Sequence, residues 1–147
     1  MGKFLEGLRD ELSLYVRQSA WLNAVPEKAP NDKSKEPGKS RLQAMQEAGE
    51  QPELPLIEAE HLIGYLYDVG PTVSTEMGQI ALRSEHLLSW QAETGIELQP
   101  WEARVLRSLS TDYLVQAQRS EKRDCPPPYG PAWRRAMVAK KIDEIFP

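Results

Sequence analysis

Apolar residues in this chain recur at three- and four-residue spacings between proline- and glycine-bearing breaks. Phe4, Leu5, Leu8, Leu12, Tyr15, Val16 and Leu22 draw one stripe along residues 3 to 24, and that spacing predicts an amphipathic helix. Lys3, Glu6, Arg9, Asp10 and Arg17 fall mostly off the stripe, and Pro26 ends it. PEKAPNDKSKEPGKS, residues 26 to 40, has three prolines and no large apolar side chain, so it reads as a linker. A short helix from Ser40 to Ala48 follows, with Leu42 and Met45 on one face and Gly49 as its stop. After the break QPELP, the residues Ile57, Leu62, Ile63, Leu66 and Tyr67 share helical spacing as far as Gly70-Pro71. PTVSTEMGQIAL, residues 71 to 82, reads as a loop with a short turn. Ser84 then caps EHLLSWQAETG, whose Leu87, Leu88 and Trp90 are expected to face inward, with Gly95 as the stop.

The strongest helix signal starts at Pro100, a residue suited to the first helical position, where its missing N–H costs nothing. With Gln99 as the cap, Glu102 stands at the third position and its carboxylate reaches back toward the free N–H groups. Trp101, Val105, Leu106, Leu109 and Tyr113 make the buried stripe of a helix that runs to about Arg119. RDCPPPYGP, residues 123 to 131, is a stiff break before a last helix, Ala132 to Phe146. The fold class read from this pattern is all-α, a small helical domain with flanking N-terminal and C-terminal helices. Its divisions are an N-terminal amphipathic helix at 1–25, a linker with a short helix at 26–50, a helical core at 51–120, and a proline-rich break with a basic helix at 121–147.

Charge changes this picture at one end. The chain carries a net charge of -4, which argues against non-specific nucleic-acid binding as the main role. Residues 118 to 147 nevertheless hold seven Lys or Arg against four acids, leaving 11 basic against 18 acidic residues elsewhere. The single cysteine, Cys125, permits no intrachain disulfide and suggests a reducing compartment. No apolar run is long enough for a signal peptide or a membrane span. Glu6 stands where myristoylation prefers Ser or Thr.

Residue types that carry chemistry are scattered. His61 and His86 lack metal-site spacing, and Cys125 has no CxxC partner. Glu58, Glu60 and Asp68 read as a solvated helical face rather than an acid–base pair. Arg134-Arg135 and Lys140-Lys141 share a helix with Asp143 and Glu144, which favours a plain surface helix, or one that docks on an acidic partner, over nucleic acid. No catalytic group, cofactor or metal is therefore expected.

PELP at 52–55 and ALRSEHLLSWQAETGIELQPWEARVLRSLSTDYL at 81–114 resemble the tail assembly chaperones of long-tailed bacteriophages, encoded between the tail tube and tape measure proteins. The likeness rests on Trp90, Thr94, Gly95 and Leu98, then on Pro100, Trp101, Glu102, Leu106, Leu109, Tyr113 and Leu114. It departs at Ser110-Thr111, where the family pattern has an aspartate after the leucine. The resemblance implies a non-enzymatic protein of the infected bacterial cytoplasm. Such a protein holds the tape measure protein soluble and helps recruit tail tube subunits. The alternative is a small phage or prophage adaptor that binds and modulates a host protein.

Partner-binding residues are expected at the two ends: Phe4, Leu8, Leu12 and Tyr15 on the N-terminal stripe, and Trp133, Arg134 and Arg135 on the basic helix. An isolated helix with such a stripe does not leave it in water. Because a linker follows it, self-association into a homo-oligomer or binding of a client is favoured over folding back.

Overall fold

In the computed structural model, which describes residues 2–146 apart from the Ala132 side chain, six helices and one hairpin follow one another. They are α1 (Gly2–Asn23), α2 (Arg41–Glu47), α3 (Glu60–Val69), β1 (Val73–Thr75), β2 (Gly78–Ile80), α4 (Ser84–Thr94), α5 (Pro100–Arg119) and α6 (Pro131–Ile145). The chain is mostly helical but not all-α. The segment expected as a loop at 71 to 82 forms an antiparallel pair with Val73 opposite Ile80 and Thr75 opposite Gly78. Two local features turn it. Gly78 takes a φ of 108°, open to glycine, and the Thr75 hydroxyl donates to the Gly78 carbonyl and accepts from the Met77 N–H.

The starts of α5 and α2 follow the sequence logic closely. Pro100 occupies the first turn of α5, and Glu102 Oε1 accepts from the Gln99 N–H at 2.9 Å. Ser40 and Gln43 form a reciprocal capping box at the start of α2. Ahead of α4, His86 Nδ1 accepts from the Arg83 N–H at 2.9 Å, so Ser84 is the first helical residue and not the cap. α4 ends at Gly95 in the left-handed conformation, as its position suggests.

The core forms around α5, which packs against α1, α3 and α4. Leu8, Leu12 and Val16 of α1 meet Leu62, Ile63 and Leu66 of α3, Leu87 of α4, and Val105, Leu106 and Leu109 of α5. The expectation that the α1 stripe waits for a partner is therefore corrected, because it is spent on α5 within the same chain. Burying these leucines intramolecularly gains the same transfer energy as any client would, about 25 cal/mol per Å². It costs no association entropy. Leu88, expected inward, stands 66% exposed on the far side of α4, while Leu87 and Trp90 are buried.

The linker also behaves differently from its composition. Its ends are tied down by backbone bonds from the Glu27 N–H to the Glu121 carbonyl and from the Arg41 N–H to the Ala24 carbonyl. Arg41 stacks on Trp21, and its guanidinium donates to the Trp21 and Lys122 carbonyls. A cation thus meets the negative end of α1. The loop closes back on α1 instead of separating it from the rest.

Three outcomes test this account. Leu109→Ala empties the centre of the core and is expected to cost about 2–5 kcal/mol in urea denaturation. Glu102→Ala, which loses an α5 cap, should cost about 0.5–2 kcal/mol in the same assay. The third is alkaline. The Tyr67 hydroxyl donates to Ser19 Oγ at 2.6 Å, and burial pushes its pKa from 10.0 up to about 12 against the opposing Ser19 bond. An unfolded chain releases this proton first, so the stabilisation is complete below pH 10.0 and is lost as pH rises to about 12. Because Tyr67 is 38% exposed, solvent screening keeps the total effect small. Tyr67→Phe should reduce it in melts across that range, with Tyr113, also raised by burial, leaving a residue.

Candidate interaction surface

Two polar side chains inside the fold decide what reaches the surface. Gln18 lies on the face of α1 turned from the main core and is 2% exposed. Its amide nitrogen donates to the Glu53 carbonyl at 3.2 Å, and its amide oxygen accepts from the Tyr129 N–H at 2.9 Å. One buried amide so holds two extended segments against α1 with both its ends satisfied. Ser110 does the equivalent for the hairpin, accepting from the Leu82 N–H at 2.8 Å and donating to the Pro71 carbonyl at 2.6 Å. Neither residue stands out in the sequence. In the sequence Ser110 is a departure from the family pattern and Gln18 an ordinary polar residue in a helix; only the meeting of distant segments gives them their roles.

The segment held by Gln18 carries the open apolar surface. Outward and inward positions alternate along it: Leu54 and Leu56 face solvent, while Pro55 and Ile57 turn in. Leu56 is 99% exposed. Ala59 then adopts a left-handed φ of 57°, uncommon for a residue with a Cβ, and sends the chain into α3. Tyr15, Leu54 to Ile57, Glu60 and Ile63 line a groove of about 410 Å³. Exposed Glu53, Glu58 and Glu60 lie along this stretch.

α6 leaves the body beside the same segment. Trp21 Nε1 donates to the Cys125 carbonyl at 2.8 Å, fixing the proline-rich strap. Arg134 donates to both Glu53 oxygens at 3.1 Å and lies over the Tyr129 ring, and Tyr129 packs on Trp133. Glu53 and Tyr129 both raise the Arg134 pKa. Past this anchor the helix is open. Val138, Ile142 and Ile145, at i, i+4 and i+7, form a stripe with Ile145 68% exposed, and Phe146 follows it. By helical geometry Arg135 and Lys141 flank that stripe, and Asp143 and Glu144 lie on the opposite face.

The residues expected to bind partners are thus divided. Phe4 is exposed, Leu8 and Leu12 are in the core, and Tyr15 is partly buried as a wall of the groove. Trp133 and Arg134 form the root of α6, and Arg135 is exposed beyond it. Of the motif residues, Leu106 and Leu109 are fully buried, Trp101 and Tyr113 pack against the core half-buried, Pro100 is exposed, and Glu102 lies between α5 and α3. There His61 Nε2 approaches Glu102 Oε2 at 3.3 Å. Leu5, Glu6 and Arg9 form a second, shallower apolar groove with Trp101, Arg104 and Val105.

Among the described residues no group of three His, Cys, Asp or Glu side chains comes together to hold a metal ion. No helix there is long and apolar enough to cross a membrane. Cys125 is half-buried, with Gln116 Nε2 3.8 Å from its sulfur. No protein-family model, curated protein or solved structure matches this chain.

Proposed function

We propose that the protein is a non-enzymatic tail assembly chaperone of a long-tailed bacteriophage. In this reading it binds the tape measure protein in the infected cell and helps recruit tail tube subunits. The observation that carries the reading is apolar surface left open on peripheral elements of a closed core: the α6 stripe and Leu54-Leu56. A helix face of this kind takes up the apolar face of a client helix. Several copies along one long client would add their weak contacts through multivalency.

The choice of client comes from the resemblance at 81–114. Its residues build one continuous corner here. The Ile96 N–H donates to Thr94 Oγ1, the Leu98 N–H to Gln91 Oε1 at 2.7 Å, and the Gln99 N–H to Glu102. The basic flank of α6 favours a second reading, an adaptor that docks on an acidic host protein.

Co-expression with a tape measure fragment from the same phage tests the proposal. The fragment should move into the soluble fraction and co-purify. Val138→Asp with Ile142→Asp should abolish this while leaving the melting temperature of the chaperone unchanged, since both side chains are already half exposed. A fragment that precipitates equally with and without the protein would count against the tape measure and leave the host adaptor.

A further inference from the structure

The chain displays two open surfaces of opposite charge. One is the α6 stripe of Val138, Ile142 and Ile145, bordered by Arg135 and Lys141; the other is the groove beside Leu54 and Leu56, bordered by Glu58 and Glu60. Each is apolar in the middle and charged at the rim, the usual composition of a surface that becomes buried. Their rims are complementary, basic on the helix and acidic on the groove.

The helix does not seat in its own groove. The Arg134–Glu53 pair and the Tyr129–Trp133 stack hold its first turn at the edge of the acidic segment, and the remaining turns run on with their stripe exposed. Yet this anchor shows that the root of α6 is already matched to the segment, through two charge-assisted hydrogen bonds to one carboxylate.

We infer that a second copy of this chain occupies the groove, so that α6 of each copy lies in the Leu54–Ile63 groove of the other. The arrangement is isologous. A two-fold axis makes both seatings at once, covers both apolar surfaces and leaves none to propagate. Two reciprocal seatings also double the area that one helix buries, which a stable interface of more than about 1,000 Å² needs. The inference is independent of the proposed client. Pairing and client binding draw on the same stripe, but sedimentation of the chain alone reads the first and co-purification of the fragment reads the second, so each can fail without the other.

Sedimentation equilibrium of the full chain tests the pairing. The wild type should dimerise with concentration and dissociate as salt screens the rims. Ile142→Asp, at a half-exposed site, should stay monomeric with an unchanged melting temperature. A charge exchange then checks the assignment of the two surfaces. Arg135→Glu with Lys141→Glu makes both surfaces acidic, and Glu58→Lys with Glu60→Lys makes both basic. Each variant alone should be monomeric, and an equimolar mixture should regain the dimer. A wild-type chain that stays monomeric at every concentration overturns the inference. So does a dimer that survives Ile142→Asp, and so do two monomeric, folded charge variants that fail to pair when mixed.

Discussion

The seam between α1 and α5 is the contact on which the rest of the molecule depends. Leu8, Leu12 and Val16 on one helix and Val105, Leu106 and Leu109 on the other belong to one buried cluster. Because α5 also meets α3 and α4, it is enclosed by apolar neighbours along most of its length. Remove α1 and the apolar stripe of the 20-residue α5 opens to water. Outside the apolar seam, Ser13 on α1 donates to the Asp112 carboxylate on α5 at 2.7 Å. That bond ties the two helices together beside the apolar contact.

Buried polar groups extend this seam to segments with little apolar content of their own. Ser110, the residue after Leu109 in α5, holds both ends of the hairpin segment at Pro71 and Leu82. Gln18 holds the Glu53 and Tyr129 segments. Such groups cost desolvation unless every donor and acceptor is met. Meeting them with backbone from far along the chain converts that requirement into an alignment device. The peripheral segments consequently have a defined position without a core of their own.

This division explains where the open surfaces of α6 and Leu54-Leu56 lie. Most leucines in the middle of the molecule are buried, Leu88 being an exception, and the apolar groups of α6 and of Leu54-Leu56 stay open on segments that the buried amide and the Arg134–Glu53 pair hold at the margin. α6 is anchored at its root and open beyond it. A surface of that kind offers a client or a second copy a preformed helix, so little ordering entropy is spent on association.

Helix existence, several helix ends and the identity of the central stripe were legible in the sequence, whereas the Arg83 cap of α4 and the left-handed Ala59 before α3 were not. The legible features follow from short-range effects: apolar periodicity on α1, α3 and α5, Pro100 and Glu102 at one helix start, and Gly95 at another helix end. The seam contact partners of those stripes were not legible. Nothing local distinguishes Leu12 packed on Leu109 from Leu12 packed on another molecule, because burial energy depends on area and not on whose surface supplies it. The tertiary structure decided that α1 folds back, that a proline-rich loop lies closed on Arg41 and Trp21, and that Leu88 faces outward while Leu87 faces inward. It also decided the roles of Gln18 and Ser110, whose partners lie 28 to 111 residues away along the chain. Hydrogen bonds over such separations have no periodic signature, and only the packed helices bring their ends together.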